Sequence, residues 1–130
     1  MSNTHFSLDP KTDVFLTDVF NEINEKYFSG SIVASIFWQV PPTNNFEPCP
    51  PGSVELNAKR IMVHPYLMKA FTPRFAVEYI IFHECLHLHL GFQEDREPHC
   101  KTFMVEESKF QNRDKAKTWL KKNSFPILNS

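Results

Sequence analysis

Thr72-Pro73-Arg74-Phe75-Ala76-Val77-Glu78-Tyr79-Ile80-Ile81-Phe82-His83-Glu84-Cys85-Leu86-His87-Leu88-His89-Leu90-Gly91 is the stretch that decides how this chain reads. Threonine followed by proline supplies an N-cap and a first helical residue, and the glycine stands just past a helix end. The spacing therefore predicts one helix from Pro73 to about Leu90, with Ala76, Ile80, His83 and His87 on a common face. Within it His83-Glu84-Cys85-Leu86-His87 forms an H-E-x-x-H pattern. At helical pitch two histidines four residues apart lie about 40° apart, so both imidazoles can meet one zinc ion. Glu84, beside the first histidine, is angled toward the edge of that site, where it can act as general base on water.

A catalytic zinc takes three protein ligands and keeps one open position. His99, twelve residues beyond His87, is the first candidate for the third, because a helix, turn and second helix can return it to the pair. Glu107 is the second candidate and Glu106 the third, at a spacing that suits a glutamate ligand on the next helix. We expect His99, with Glu106 as a hydrogen-bond acceptor behind it because the two share a face. His64, Tyr66 and Arg96 are candidate donors to a developing oxyanion.

Outward from this helix, the chain has 130 residues, 42% of them hydrophobic, including thirteen phenylalanines. That suits one compact domain burying roughly two-thirds of its unfolded surface. Fourteen basic against fifteen acidic residues give a net charge of −1. Such a balance argues against a broad electrostatic footprint for nucleic acid and leaves room only for a local patch. The first ten residues are polar rather than a leader, and the longest apolar run (Val77 to Phe82) is far short of the ~20 residues that cross a bilayer. Cys49, Cys85 and Cys100 contain no C-x-x-C pair, and an odd count fits poorly with a disulfide framework, so a reducing cytoplasm is expected.

Residues 1–12 read as a flexible arm and residues 13–128 as a single domain. Leu16, Phe20, Ile23 and Tyr27 mark an amphipathic helix over Asp13 to Phe28, stopped by Ser29-Gly30. Ser31 to Val40 is β-branched and aromatic, a strand ending at Pro41-Pro42. Pro41 to Gly52, with five prolines, is a loop. Two short strands follow, Ser53 to Leu56 and Arg60 to His64, turning at Asn57-Ala58, and then one helical turn from Pro65 to Ala70. Beyond Gly91, Pro98 opens a helix with His99, Phe103, Glu106 and Phe110 on one stripe, and a last helix runs from Asp114 to Lys122.

Three segments together resemble a known family. His83-Glu84-Cys85-Leu86-His87 followed by His99-Cys100-Lys101-Thr102-Phe103 is similar to the H-E-x-x-H plus H-x-x-x-F core of SprT-like metallopeptidases. Asn24-Glu25-Lys26-Tyr27-Phe28-Ser29-Gly30 with Trp38 resembles that family's N-x-x-Y-F-x-G … W opening, and His64-Pro65-Tyr66-Leu67 its N-P-x-L step. The resemblance spans roughly Phe15 to Phe110. Cys100 stands where the family commonly has glycine and His64 where it has asparagine, and no cysteine pairs of a zinc-ribbon tail follow Phe110.

The resemblance implies an α+β, zincin-like minimal domain: an N-terminal helix, a small three-stranded sheet, the H-E-x-x-H helix and following helices. It implies one Zn2+ per chain on His83, His87 and His99, and hydrolysis of a protein or peptide substrate with Glu84 as base. The chain is then expected to be a monomeric cytoplasmic enzyme with no membrane partner, the nucleus or nucleoid remaining open. The competing expectation is a catalytically silent, zinc-stabilised module that binds DNA or a protein. Other residues have plainer readings. His89 lies about 200° from His87 and belongs to the surface, and His64 to a turn. Cys85 and Cys100 are small buried hydrophobes. Arg113, Lys115, Lys117, Lys121 and Lys122 around Trp119 form a solvated face interrupted by Asp114.

Overall fold

The computed structural model describes residues 13–42, 49–68, 71–91, 101–123 and Phe125. The N-terminal arm, Arg96, Pro98, His99, Cys100 and the end of the chain beyond Phe125 lie outside the described residues. The architecture is α+β: four helices and a three-stranded sheet among the described residues.

Helix α1 (Asp13–Phe28) buries Leu16, Phe20 and Ile23 of the stripe its spacing predicts, with Val19 beside them, and leaves Tyr27 partly exposed. Its end uses both Ser29 (φ 53°) and Gly30 (φ 75°), the second donating to the Asn24 carbonyl at 3.0 Å. Both residues are in the left-handed region that helix ends commonly use. Asn24 is itself buried, and its side chain accepts from the Ile32 amide (3.0 Å) while donating to the Ile32 carbonyl (2.9 Å). Because Asn24 holds both backbone groups of Ile32, the first strand is shorter than expected: β1 runs only Ser35–Trp38.

Strand β3 (Arg60–Val63) is central, with β1 parallel on one side and β2 (Gly52–Glu55) antiparallel on the other. Ile61, Met62 and Val63 are buried, as a strand covered on both faces requires. The turn between β2 and β3 spans residues 56–59, with Lys59 at φ 55°. The segment joining β1 to β2 passes the end of β3, where Gln39 donates to the Val63 carbonyl and His64 to the Pro51 carbonyl. A single 3-10 turn (Pro65–Met68) follows.

Helix α2 (Arg74–Leu90) carries the H-E-x-x-H residues and ends as expected at Gly91, whose N–H reaches the His87 carbonyl at 2.9 Å. Its start corrects the sequence reading. Pro73, not Thr72, occupies the cap position, in extended conformation, and the Thr72 hydroxyl is buried with no hydrogen-bond partner among the described residues. Ten of the eleven positions from Ala76 to Leu86 of α2 are buried, all but Glu78, because the helix packs on α1, β2, β3, α3 (Lys101–Glu107) and α4 (Arg113–Lys122). Arg74 fastens its first turn to α1 through Glu22 (2.9 Å) and Asp18 (3.5 Å), and pairs with Glu78 one turn on.

The α3 stripe was expected to continue helically to Phe110, but α3 stops at Glu107 and Phe110 is buried in the turn after it. There Phe110 meets Tyr27, Tyr79 and Phe82 at ring distances of 5.1 to 5.8 Å. Among the described residues no helix is long and apolar enough to cross a membrane.

Candidate metal centre

His83 sits in the densest part of α2 and is 1% exposed. Its Nδ1–H donates to Oε2 of Glu107 at 2.6 Å. The Tyr79 hydroxyl, one turn earlier on the same face, donates to the same oxygen at 2.9 Å, and Arg113 Nε donates to Oε1 at 3.2 Å. Glu107, also 1% exposed, thus accepts on both oxygens. Burial pushes its carboxyl up, but the hydrogen bonds from His83, Tyr79 and Arg113 and the charge of His83 outweigh burial and hold it at about 2. Burial, reinforced by Glu107, pushes the Tyr79 phenol far up, so it remains a donor.

His87 lies one turn beyond His83, its ring 5.1 Å away and steeply inclined at 76°. Phe103 of α3 packs against both imidazoles, at 4.8 Å from His83 and 4.4 Å from His87. Its buried ring fixes the planes of the two side chains without competing for their nitrogens.

Glu84 is buried against the sheet, its Oε2 beside Gly52 of β2. Burial alone pushes its carboxyl up to about 8. The close approach is permitted by Gly52. A Cβ there would stand 2.5 Å from Ile80 Cγ2, 3.3 Å from the Met62 carbonyl and 3.4 Å from Glu84 Oε2. The glycine at the start of β2 therefore lets the α2 turn that bears Glu84 lie directly on the strand.

This donor set suits a zinc ion. With Nδ1 of His83 engaged by a carboxylate, Nε2 is the nitrogen that would coordinate, and His87 is on the adjoining turn. No three His, Cys, Asp or Glu residues among those described form a metal-holding group. Glu107, the second candidate for the third donor, stands on Nδ1 of His83. Glu106, expected behind His99, holds Lys109 at 3.0 and 3.1 Å, and the acceptor on His83 is Glu107. His99 lies outside the described residues.

Of the candidate oxyanion donors, Arg96 lies outside the described residues. His64 has a local duty: its Nδ1 accepts from the Tyr66 amide at 3.0 Å and caps the 3-10 turn, in the position that the resemblance gives to asparagine. Phe125 packs edge-on to both His64 and Tyr66. His89 is exposed and lies against the Phe28 ring, and Cys85 is a free, buried thiol.

Reading the sequence missed Tyr79, Arg113 and Gly52. Tyr79 carried a signal, since Tyr79, His83 and His87 recur every four residues on one helical face. Arg113 was grouped with the exposed basic residues, yet it is half-buried against Glu107. Among known proteins, no family model, curated protein or solved structure matches the chain.

Proposed function

We propose that this chain is a zincin-like, SprT-like zinc metallopeptidase that hydrolyses peptide bonds. The observation that carries the reading is the pairing of two environments on one turn of α2. His83 has Nδ1 committed to Glu107, which suits coordination through Nε2, while the adjacent Glu84 is buried against β2, where burial pushes its carboxyl up. A carboxylate kept in that condition costs stability and is of use where a proton must be moved.

His83, His87 and His99 would hold the ion. Zinc supplies Lewis acidity, bringing the pKa of water down to about 7 and polarising a carbonyl oxygen. Glu84 takes the proton of the attacking water and returns it to the departing amine nitrogen. Phe103 and Glu107 keep the two imidazoles oriented while this happens.

The test compares wild type with Glu84→Gln for zinc content and for cleavage of an unfolded protein. Equal zinc with activity reduced at least a hundredfold is expected, since general-base catalysis contributes about 10²–10⁴. Equal activity would remove Glu84 from its role. A zinc-loaded wild type inert toward unfolded protein, with and without single-stranded DNA, would favour a binding module instead.

A further inference from the structure

We propose that Glu107, braced by Tyr79 and Arg113, is a positioning residue that selects the coordinating nitrogen of His83 and strengthens its hold on metal. The inference rests on His83 being a ligand, as proposed above. A carboxylate so deeply buried is costly unless its oxygens are satisfied. Here the satisfying groups come from two elements, His83 and Tyr79 from α2 and Arg113 from the start of α4, around a glutamate at the end of a third, α3.

Each contact has a separate consequence. The 2.6 Å bond from His83 keeps the proton on Nδ1, so the lone pair is on Nε2. A negative acceptor behind the ring also makes Nε2 more basic and offsets part of the charge a bound cation introduces. Tyr79 donates to the same oxygen that receives His83, which fixes where that oxygen sits. Arg113 holds the other oxygen, and its Nη1 is tied to Asp114 at 3.0 Å, so the carboxylate cannot rotate without disturbing α4. Metal affinity is thereby coupled to the seating of α4, through one carboxylate.

The test uses the full chain with zinc as the only added ligand. Zinc affinity is measured by competition with a chelator for wild type, Glu107→Gln and Arg113→Gln, with circular dichroism and thermal unfolding of each metal-free protein. Glu107→Gln is expected to bind zinc about 10–100-fold more weakly, with metal-free secondary structure preserved. Arg113→Gln, a change at a partly exposed site, is expected to weaken binding several-fold. Long-range proton–nitrogen NMR of the zinc-loaded protein supplies a readout that a packing role would not move. His83 is expected to coordinate through Nε2, with its Nδ1 proton resonance far downfield and shifted upfield in Glu107→Gln.

Unchanged affinity in Glu107→Gln, or coordination through Nδ1 of His83, would overturn the proposal. Should Glu107→Gln fail to fold, Arg113→Gln and Tyr79→Phe decide, and unchanged zinc affinity in both would overturn it. A wild type that binds no zinc defeats the metallopeptidase reading together with this one. A zinc-binding wild type matched by Glu107→Gln defeats only the positioning role.

Discussion

Glu84 is 4% exposed, beside the glycine of β2. Burial pushes its carboxyl up, so in the metal-free protein the group opposes folding at pH values above the ordinary carboxylate range. Glu84→Gln removes the titrating group at nearly constant shape, and is expected to raise metal-free stability at neutral pH by about 1–3 kcal/mol. Urea unfolding in the presence of chelator measures this, and a loss of stability would show that Glu84 has a partner in the folded state. The positions of His83, Glu84 and His87 were legible because helical pitch alone puts i and i+4 on one face. Which of Glu106 and Glu107 turns inward was not legible. That depends on how α3 lies across α2, a tertiary fact that leaves Glu106 on Lys109 and gives Glu107 to His83. Arg113 was hidden for the same reason, since its charge pattern resembles that of its solvated neighbours.

At the scale of elements, the site depends on two places where backbone and side chain meet closely. At Gly52 an added methyl group would collide with Ile80 Cγ2. Gly52→Ala is therefore expected to cost about 1–3 kcal/mol through overpacking. Combining it with Ile80→Ala should recover part of the loss, and a strictly additive double mutant in denaturant titrations would refute the contact. At the end of α1, Asn24 both donates to and accepts from Ile32. Asn24→Asp keeps the acceptor but sets a carboxylate oxygen against a carbonyl. It is expected to destabilise by about 1–3 kcal/mol in urea titrations, as loss of a buried hydrogen bond does. Stability equal to wild type would mean that the clamp contributes nothing. The helices α1 and α2 were legible from stripe and stop signals. The use of Gly52 was not, because a glycine at the edge of a short strand reads only as a turn residue.

At the scale of the whole molecule, α2 is the common neighbour of α1, α3, α4 and two strands of the sheet. A near-continuous apolar helix foretold such a central place. The strand order β1-β3-β2, with a parallel pair, was beyond the sequence pattern, which shows three short strands but not the passage of the chain past β3 between the first two. Because α2 contacts so much of the fold, metal bound on its face should stabilise the whole. Zinc at a hundred times its dissociation constant is expected to add about 2.7 kcal/mol, seen as a higher thermal midpoint that chelator reverses. A midpoint indifferent to zinc and chelator would separate the site from the fold.

The central claim, that His83 and His87 with His99 hold one zinc for hydrolysis, is tested most directly by the zinc content of the purified protein beside that of His99→Ala. One zinc per chain is expected in the wild type and its loss in His99→Ala, with secondary structure retained. A wild type without zinc, or a His99→Ala variant that keeps a full equivalent, would contradict it.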